Sequence, residues 1–289
     1  MNAYMERDDW SQRKTPQGFV STVTFRKDNP VFYGHYPQNP IYPASLLIDF
    51  CYQQLCEYSG VRTPLDLDLC VSRASVNKGI RPGEIITFYF TTSDASQNLK
   101  KSVFVLQDAE NNQIAKFEFS NITKRNLRAK SAINPHGKDL VPSYKYLPQR
   151  YPLLVIDNIA KENGTTGYAN KLVSYGDFAF RKALSAETNE ASLFYPFGAI
   201  IEGIEQSAAL VLSNLWAVSD KEYEISIAGF SNIELHSHVS PGETLQFQSE
   251  LEYQSDMHAI FSGIASVNNR ITVSISKVFV VIKPLVRND

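Results

Sequence analysis

Apolar and polar positions alternate through Gly18 to Arg26 (GFVSTVTFR) with the period of a half-buried strand. The pattern then changes to a nearly continuous apolar run from Pro43 to Tyr58, which predicts a long helix with proline at its first turn. Beyond Thr63-Pro64 the strand pattern returns. LDLCVSRASV precedes the turn Arg81-Pro82-Gly83-Glu84, IITFYFTTS follows it, and KSVFVLQ and IAKFEFSNI are joined across Asp108 to Asn112. The second half repeats this order. YPLLVIDNIA and TGYANKLVSYG predict strands, Pro196 to Val218 a helix, and four strand-like runs close the chain.

The repeat is visible in particular residues. Aligning Tyr42-Pro43 with Tyr195-Pro196 gives an offset of 153, which carries Asp49 onto Glu202 and Gln53 onto Gln206. The turn recurs as Pro241-Gly242-Glu243, at an offset of 159, so six extra residues lie between helix and turn in the second copy. Two copies define a fused pair and not a solenoid. The basic, aperiodic stretch Lys124 to Pro142 reads as a linker. The expected organisation is a first domain over 1–123, a linker over 124–143 and a second domain over 144–289.

Composition narrows the function. Of the 289 residues 43% are hydrophobic and 20% charged, which is globular, and a net charge of −2 gives no bulk attraction to nucleic acid or an anionic membrane. Three cysteines, Cys51, Cys56 and Cys70, lack the spacing of a zinc site and fit a reducing cytoplasm. The N-terminal segment has no apolar core of a signal peptide, and no stretch is long enough to span a bilayer. A soluble, cytoplasmic protein is expected.

The chemistry is distributed unequally between the copies. GHYPQNPIYPASLLIDFCYQQ, Gly34 to Gln54, sets His35 14 residues before Asp49, whereas YPFGAIIEGIEQ, Tyr195 to Gln206, holds a carboxylate with Thr188 at the matching upstream position. A carboxylate on an almost wholly apolar helix must be hydrogen-bonded, neutralised or used. Such a helix beside antiparallel strands suggests an α+β unit in which a curved sheet wraps the helix.

His35-Tyr36-Pro37, Asn39-Pro40, Tyr42-Pro43 and the Leu-Leu-Ile-Asp run to Gln53 resemble the signature of the 3-hydroxyacyl-[acyl-carrier-protein] dehydratases, hot dog enzymes of fatty-acid and polyketide synthesis. In the second half Tyr146 to Asp157 (YLPQRYPLLVID) and AIIEGIEQ resemble the same family. The resemblance implies a double hot dog, a pseudo-dimer within one chain, with further dimerisation left open. It implies a substrate carried on the phosphopantetheine of acyl carrier protein, and no cofactor or metal. Because family members take the histidine from one unit and the carboxylate from the other, it pairs His35 with Glu202. Asp49 and Gln53 are then left in a vestigial site.

Under that reading His35, with an ordinary pKa near ~6.5, is the base, and Glu202, its pKa expected to be raised by burial, is the acid. Gln206, one turn on, orients Glu202, and the Ala44 N–H at the helix start is the oxyanion donor. Ala44 and Phe197 stand where the family has glycine, and Tyr42, Tyr195 and Phe197 are expected to line the substrate path. His236 and His238 read as surface histidines, and Lys124, Arg125, Arg128 and Lys130 as a solvated linker, with docking of an acidic carrier protein as the alternative. The alternatives are a hot dog acyl thioesterase and a non-catalytic acyl-binding subunit.

Overall fold

The computed structural model describes Tyr4 and residues 10–93, 101–122, 140–160, 164–181, 193–216 and 223–284. Thr188 and the four basic residues at 124–130 lie outside these. In chain order the first half contains β1 (Trp10–Thr15), β2 (Gly18–Thr24), α1 (Pro30–Gly34), α2 (Ala44–Ser59), β3 (Leu69–Val76), β4 (Ile85–Thr92), β5 (Lys101–Gln107) and β6 (Gln113–Asn121). The second contains β7 (Leu140–Pro142), β8 (Asn158–Ala160), β9 (Thr166–Leu172), α3 (Phe197–Trp216), β10 (Tyr223–Leu235), β11 (Thr244–Gln254), β12 (His258–Val267) and β13 (Arg270–Pro284).

All thirteen strands form one antiparallel sheet, in the order β1-β2-β4-β5-β6-β3-β10-β13-β12-β11-β9-β8-β7. Read outward from its centre, β3-β6-β5-β4-β2 mirrors β10-β13-β12-β11-β9, so the duplication in sequence is a duplication in topology. The two copies are joined edge to edge where β3 pairs with β10, Ala74 opposite Phe230 and Val71 opposite Ile233. Each half contributes the strand edge that the other needs, which leaves neither edge open for aggregation. The whole is a double hot dog, two sheet halves each curved around one long helix.

Burial explains the helices. Leu46, Leu47, Ile48, Phe50, Cys51, Tyr52 and Leu55 of α2 are all buried, as are Ala199, Ile200, Ile201, Ile204, Ala208, Val211 and Leu212 of α3. A helix apolar on nearly every face lies inside the core and not on it. The strand face toward α2 carries Phe88, Phe90, Phe104, Phe117 and Phe119, all buried. α2 ends at Gly60, in the left-handed region at φ 70°, whose N–H returns to the Cys56 carbonyl.

The pseudo-symmetry extends to single hydrogen bonds. Tyr42 N–H donates to Ile80 O at 2.8 Å and Tyr195 N–H to Val239 O at 2.7 Å, each tying the residue before a helix to the turn that follows. In those turns Gly83 and Gly242 take φ of 89° and 92°, and Glu84 and Glu243 accept from the backbone N–H groups of Arg81 and Ser240.

Several expected elements differ. α1 has no counterpart in the predicted pattern, because its five residues are too few to show a period; Asn29 caps it, Oδ1 accepting from Val31 N–H at 2.9 Å, and Pro30 opens it. β1 is likewise an addition, pairing along the length of β2. YPLLVID, expected as strand, is mostly irregular, with β8 beginning only at Asn158, because its apolar residues Leu153, Val155 and Ile156 plug the interior instead of alternating. β7 lies inside the stretch read as linker.

α2 and α3 meet where a side chain cannot fit. A Cβ on Gly198 would stand 2.8 Å from both the Ser45 carbonyl oxygen and Asp49 Cβ, and 3.1 Å from Leu46 Cα. Two of these neighbours are backbone atoms, which cannot turn aside. Gly198→Ala is therefore expected to cost about 1–3 kcal/mol by overpacking, seen as a lower midpoint in chemical denaturation; an unchanged midpoint would show that the helices are not in contact there.

Candidate active site

His35 directly follows α1 and is fixed from both halves of the chain. A Cβ on Gly34 would lie 2.7 Å from Arg150 O and 2.9 Å from Leu153 N, and Arg150 N–H donates to Gly34 O at 2.9 Å. The second-half segment Tyr146 to Pro152 thus clasps the residue before the histidine. The next residue, Tyr36, adopts φ 51°, and its ring stands 4.5 Å from the imidazole.

The imidazole is 8% exposed, with Nδ1 2.8 Å from Ile41 O. A carbonyl oxygen can only accept, so Nδ1 carries the proton and, in the neutral ring, Nε2 keeps its lone pair. Burial lowers the pKa of His35 below the ordinary histidine value, against a smaller upward pull from Glu202 and from the Ile41 carbonyl. The neutral, basic form is therefore the one present at neutral pH.

Glu202 sits in the second turn of α3 and is 1% exposed. Ser45 Oγ, from the first turn of α2, donates to its Oε2 at 2.8 Å, and Gln206 Nε2 donates to its Oε1 at 3.0 Å. Gln206 also donates to Leu153 O at 2.6 Å and accepts from Val155 N–H at 3.2 Å. Its amide is thereby locked in one orientation, and the carboxyl group is held by three segments distant in sequence.

His35 and Glu202 line one cavity of about 100 Å³, together with Tyr42, Ala44, Gln149, Glu205 and Gln206. The wall continues along α3 through Ala209 and Leu212 and onto the sheet at Ile227, Phe261 and Val278. α2 begins at Ala44 with Pro43 as its N-cap, which has no side chain able to cap, so the first N–H groups of the helix are not claimed by a capping side chain.

Asp49 lies elsewhere. It is 3% exposed, accepts from Gln53 Nε2 at 3.1 Å, and lines a second cavity of about 650 Å³ with Gln53, Tyr195, Phe197 and His238. The two cavities occupy related positions but are not equivalent. Ser45, the donor to Glu202, corresponds to Gly198, which has no hydroxyl to offer Asp49. Glu205 corresponds to Tyr52, a buried ring that packs 4.9 Å from Phe119 and 5.1 Å from Phe197 and donates through its hydroxyl to Leu69 O at 3.0 Å. The larger cavity accordingly has no wall residue from β1 to β6 and meets the sheet only at Leu235 of β10, whereas the smaller one is walled by β3, β10, β12 and β13.

Of the residues expected to line a substrate path, Tyr42 belongs to the His35 cavity, while Tyr195 and Phe197 belong to the Asp49 cavity. Tyr42 also has a packing role: its hydroxyl donates to Tyr4 O at 2.9 Å and its ring meets Phe25 and Phe32. The two histidines read as surface residues are half-buried. His236 Nε2 lies 2.9 Å from Ser274 Oγ, and His238 stacks on Phe194 with ring centroids 3.8 Å apart. Both follow the end of β10 at Leu235, so their burial is set by neighbours remote in sequence and not by strand alternation.

Ser45, Gln149 and Glu205 escaped the sequence reading. Ser45 and Glu205 carry a usable signal, since they sit at helical spacing from Asp49 and Glu202; Gln149, on an irregular segment, carries none. The three cysteines are free and buried. Burial pushes the Cys56 thiol up to about 12 and raises that of Cys51 as well, which removes both as nucleophiles at neutral pH. Among the described residues no group of histidine, cysteine or carboxylate side chains is arranged to hold a metal ion, and no helix is long and apolar enough to cross a membrane.

Known proteins resemble this chain in sequence and in fold. A sequence profile described as ApeI-like, ApeI dehydratase, matches residues 11–118. The 3-hydroxyacyl-[acyl-carrier-protein] dehydratase FabZ of Pseudothermotoga lettingae is 30% identical over 129 residues, covering 44% of this chain and 85% of that protein. FabZ of Clostridium tetani is 27% identical over 138 residues, covering 47% and 91%. Among solved structures, the dehydratase domain of PpsC from Mycobacterium tuberculosis in complex with C12:1-CoA superposes with a TM-score of 0.70 at 10% identity, over 95% of this chain and 97% of that one. The dehydratase domain of RzxB from Pseudomonas fluorescens gives 0.68 at 12% identity, over 93% and 96%. At such identities the structures establish the fold alone. The FabZ likeness goes further, for it spans most of that protein, and the chain belongs to the 3-hydroxyacyl-[acyl-carrier-protein] dehydratase family.

Proposed function

We propose that the protein removes water from 3-hydroxyacyl thioesters, presented by acyl carrier protein in fatty-acid or polyketide-type synthesis, at a single composite site containing His35 and Glu202. The observation that carries this reading is the sharing of one buried cavity by the His35 imidazole and the Glu202 carboxyl, supplied by opposite halves of the duplication. The halves 1–123 and 144–289 serve as the two units of a pseudo-dimer. The three buried, unpaired cysteines suit a reducing cytoplasm.

His35 Nε2 takes the proton from Cα of the thioester, and the electron pair moves into the thioester carbonyl to give an enolate. The Ala44 N–H at the uncapped start of α2 faces the same cavity and donates to that oxygen. As the enolate collapses, the Cα–Cβ double bond forms and the Cβ–O bond breaks. The hydroxyl leaves as water with the proton of Glu202. His35 then holds the proton taken from Cα while Glu202 is ionised, and transfer of one proton from His35 to Glu202 restores both groups. Ser45 and Gln206 fix the direction of the Glu202 carboxyl, since each occupies one of its oxygens.

Loss of one acid or base group typically costs 10²–10⁴-fold. His35→Ala and Glu202→Gln are each expected to lower kcat by about that factor in an assay following 2-enoyl thioester formation, while Asp49→Asn stays within about threefold of the parent, as a residue outside the site does. Equal loss from all three would overturn the single-site reading. Release of free thiol and carboxylic acid in place of the enoyl product would mark a thioesterase.

The pH dependence has a definite sign. Because burial depresses the pKa of His35, the base is already deprotonated at pH values where an exposed histidine is half protonated. The acid limb of kcat/KM is therefore expected below ~6.5, the ordinary histidine value. A limb above that value would assign the base to another group.

A further inference from the structure

Glu205 is the one acidic group of the His35 cavity that the reaction above does not use. It follows Glu202 by three residues on the same face of α3, roughly 4.5 Å further along the helix axis, and the positions beyond it on that face, Ala209 and Leu212, are apolar. Its Oε1 is sealed from solvent and has no hydrogen-bond partner among the described residues. Gln149 Oε1, on the wall of the same cavity, is also buried without a partner. A cavity meant only for an alkyl chain gains nothing from two unsatisfied polar atoms, each of which costs free energy to bury.

The corresponding residue of the other half shows the alternative. There Tyr52 fills the space and has its hydroxyl satisfied by Leu69 O. Burial raises the pKa of Glu205 well above the ordinary glutamate value, which favours the protonated carboxyl, a donor as well as an acceptor.

Resting on the dehydratase reading, we propose that Glu205 is a specificity-determining residue that hydrogen-bonds a hydroxyl or keto oxygen on the acyl chain, a few bonds beyond the carbon that loses its hydroxyl. The class of substrate selected is an oxygenated acyl thioester, not a saturated alkyl one. A site built around a polar group rejects the analogue that lacks it, because the protein group is left buried and unpaired.

The test compares kcat/KM for the pantetheine thioesters of 3-hydroxyhexanoate and 3,5-dihydroxyhexanoate. The unmodified protein is expected to favour the dihydroxy substrate by at least about tenfold. Glu205→Leu should reduce that preference to near unity, with the alkyl substrate turned over as well as before or better, and Glu205→Gln, which keeps donor and acceptor, should retain most of it. Replacing with leucine an acid whose Oε1 is buried without a partner should leave the unfolding midpoint unchanged or higher. The proposal is overturned if the unmodified protein shows no preference, if Glu205→Leu keeps the preference, if both substrates fall equally in that variant, or if the variant is destabilised. Absence of dehydration of either substrate by the unmodified protein would instead refute the dehydratase reading on which the proposal rests.

Discussion

The close approach of α2 and α3 at Gly198 is the constraint on which the rest of the molecule depends. Each helix is apolar on nearly all faces and must be enclosed by its own half of the sheet, so the two can touch only where the sheet halves meet. At that point Gly198 removes the side chain that would hold them apart, and the Ser45 hydroxyl reaches across to Glu202. One contact serves two purposes. It closes the core between the halves, and it places a hydrogen-bond donor on a carboxyl group that would otherwise be buried at high cost.

The same contact makes the two halves unequal. A symmetric pair would have a serine on each helix and a carboxylate opposite each. Here glycine stands on α3 where α2 has its serine, so the hydroxyl that Glu202 receives across the helix pair has no counterpart at Gly198. Tyr52 and Phe197 compound the difference by filling the space beyond Asp49, while Ala44 and Glu205 leave the corresponding space beyond Glu202 open. Asymmetry therefore involves packing as well as the missing histidine. The larger Asp49 cavity is walled mainly by α2, the start of α3 and the loops beside them, and the smaller His35 cavity runs along α3 onto four strands.

Fixing His35 also requires both halves. Its main chain is clasped by the Arg150 backbone, its Nδ1 is claimed by Ile41 O, and the segment that supplies Arg150 also supplies Leu153 and Val155 to Gln206. Residues 149–155 thus bridge the segment carrying the His35 imidazole on one side and the Glu202 carboxyl group on the other; two separate subunits would have to form this bridge across an interface, and fusion makes it permanent.

Periodicity, the Tyr-Pro repeat and the paired Pro-Gly-Glu turns were enough to predict both long helices to within two residues, most of the strands and the duplication itself, because helix and strand periods are local properties of the chain. The short α1, the strand β1 and the irregular course of Leu153 to Ile156 were not legible, since each is set by neighbours that are remote in sequence. The HYP and YP motifs singled out His35, Glu202, Gln206 and Ala44, and the structure brings all four to one cavity. Ser45, Gln149 and Glu205 were missed because a residue type does not reveal which cavity it faces. What the sequence determined by itself was the inventory of chemistry and its division between two copies. The family resemblance already paired Glu202 with His35 and set Asp49 apart; only the tertiary structure decided that Ser45 and residues 149–155 complete the surroundings of that pair and that Glu205 Oε1 is left without a partner, because contacts across a fused interface depend on the packing of two helices whose crossing no local pattern encodes.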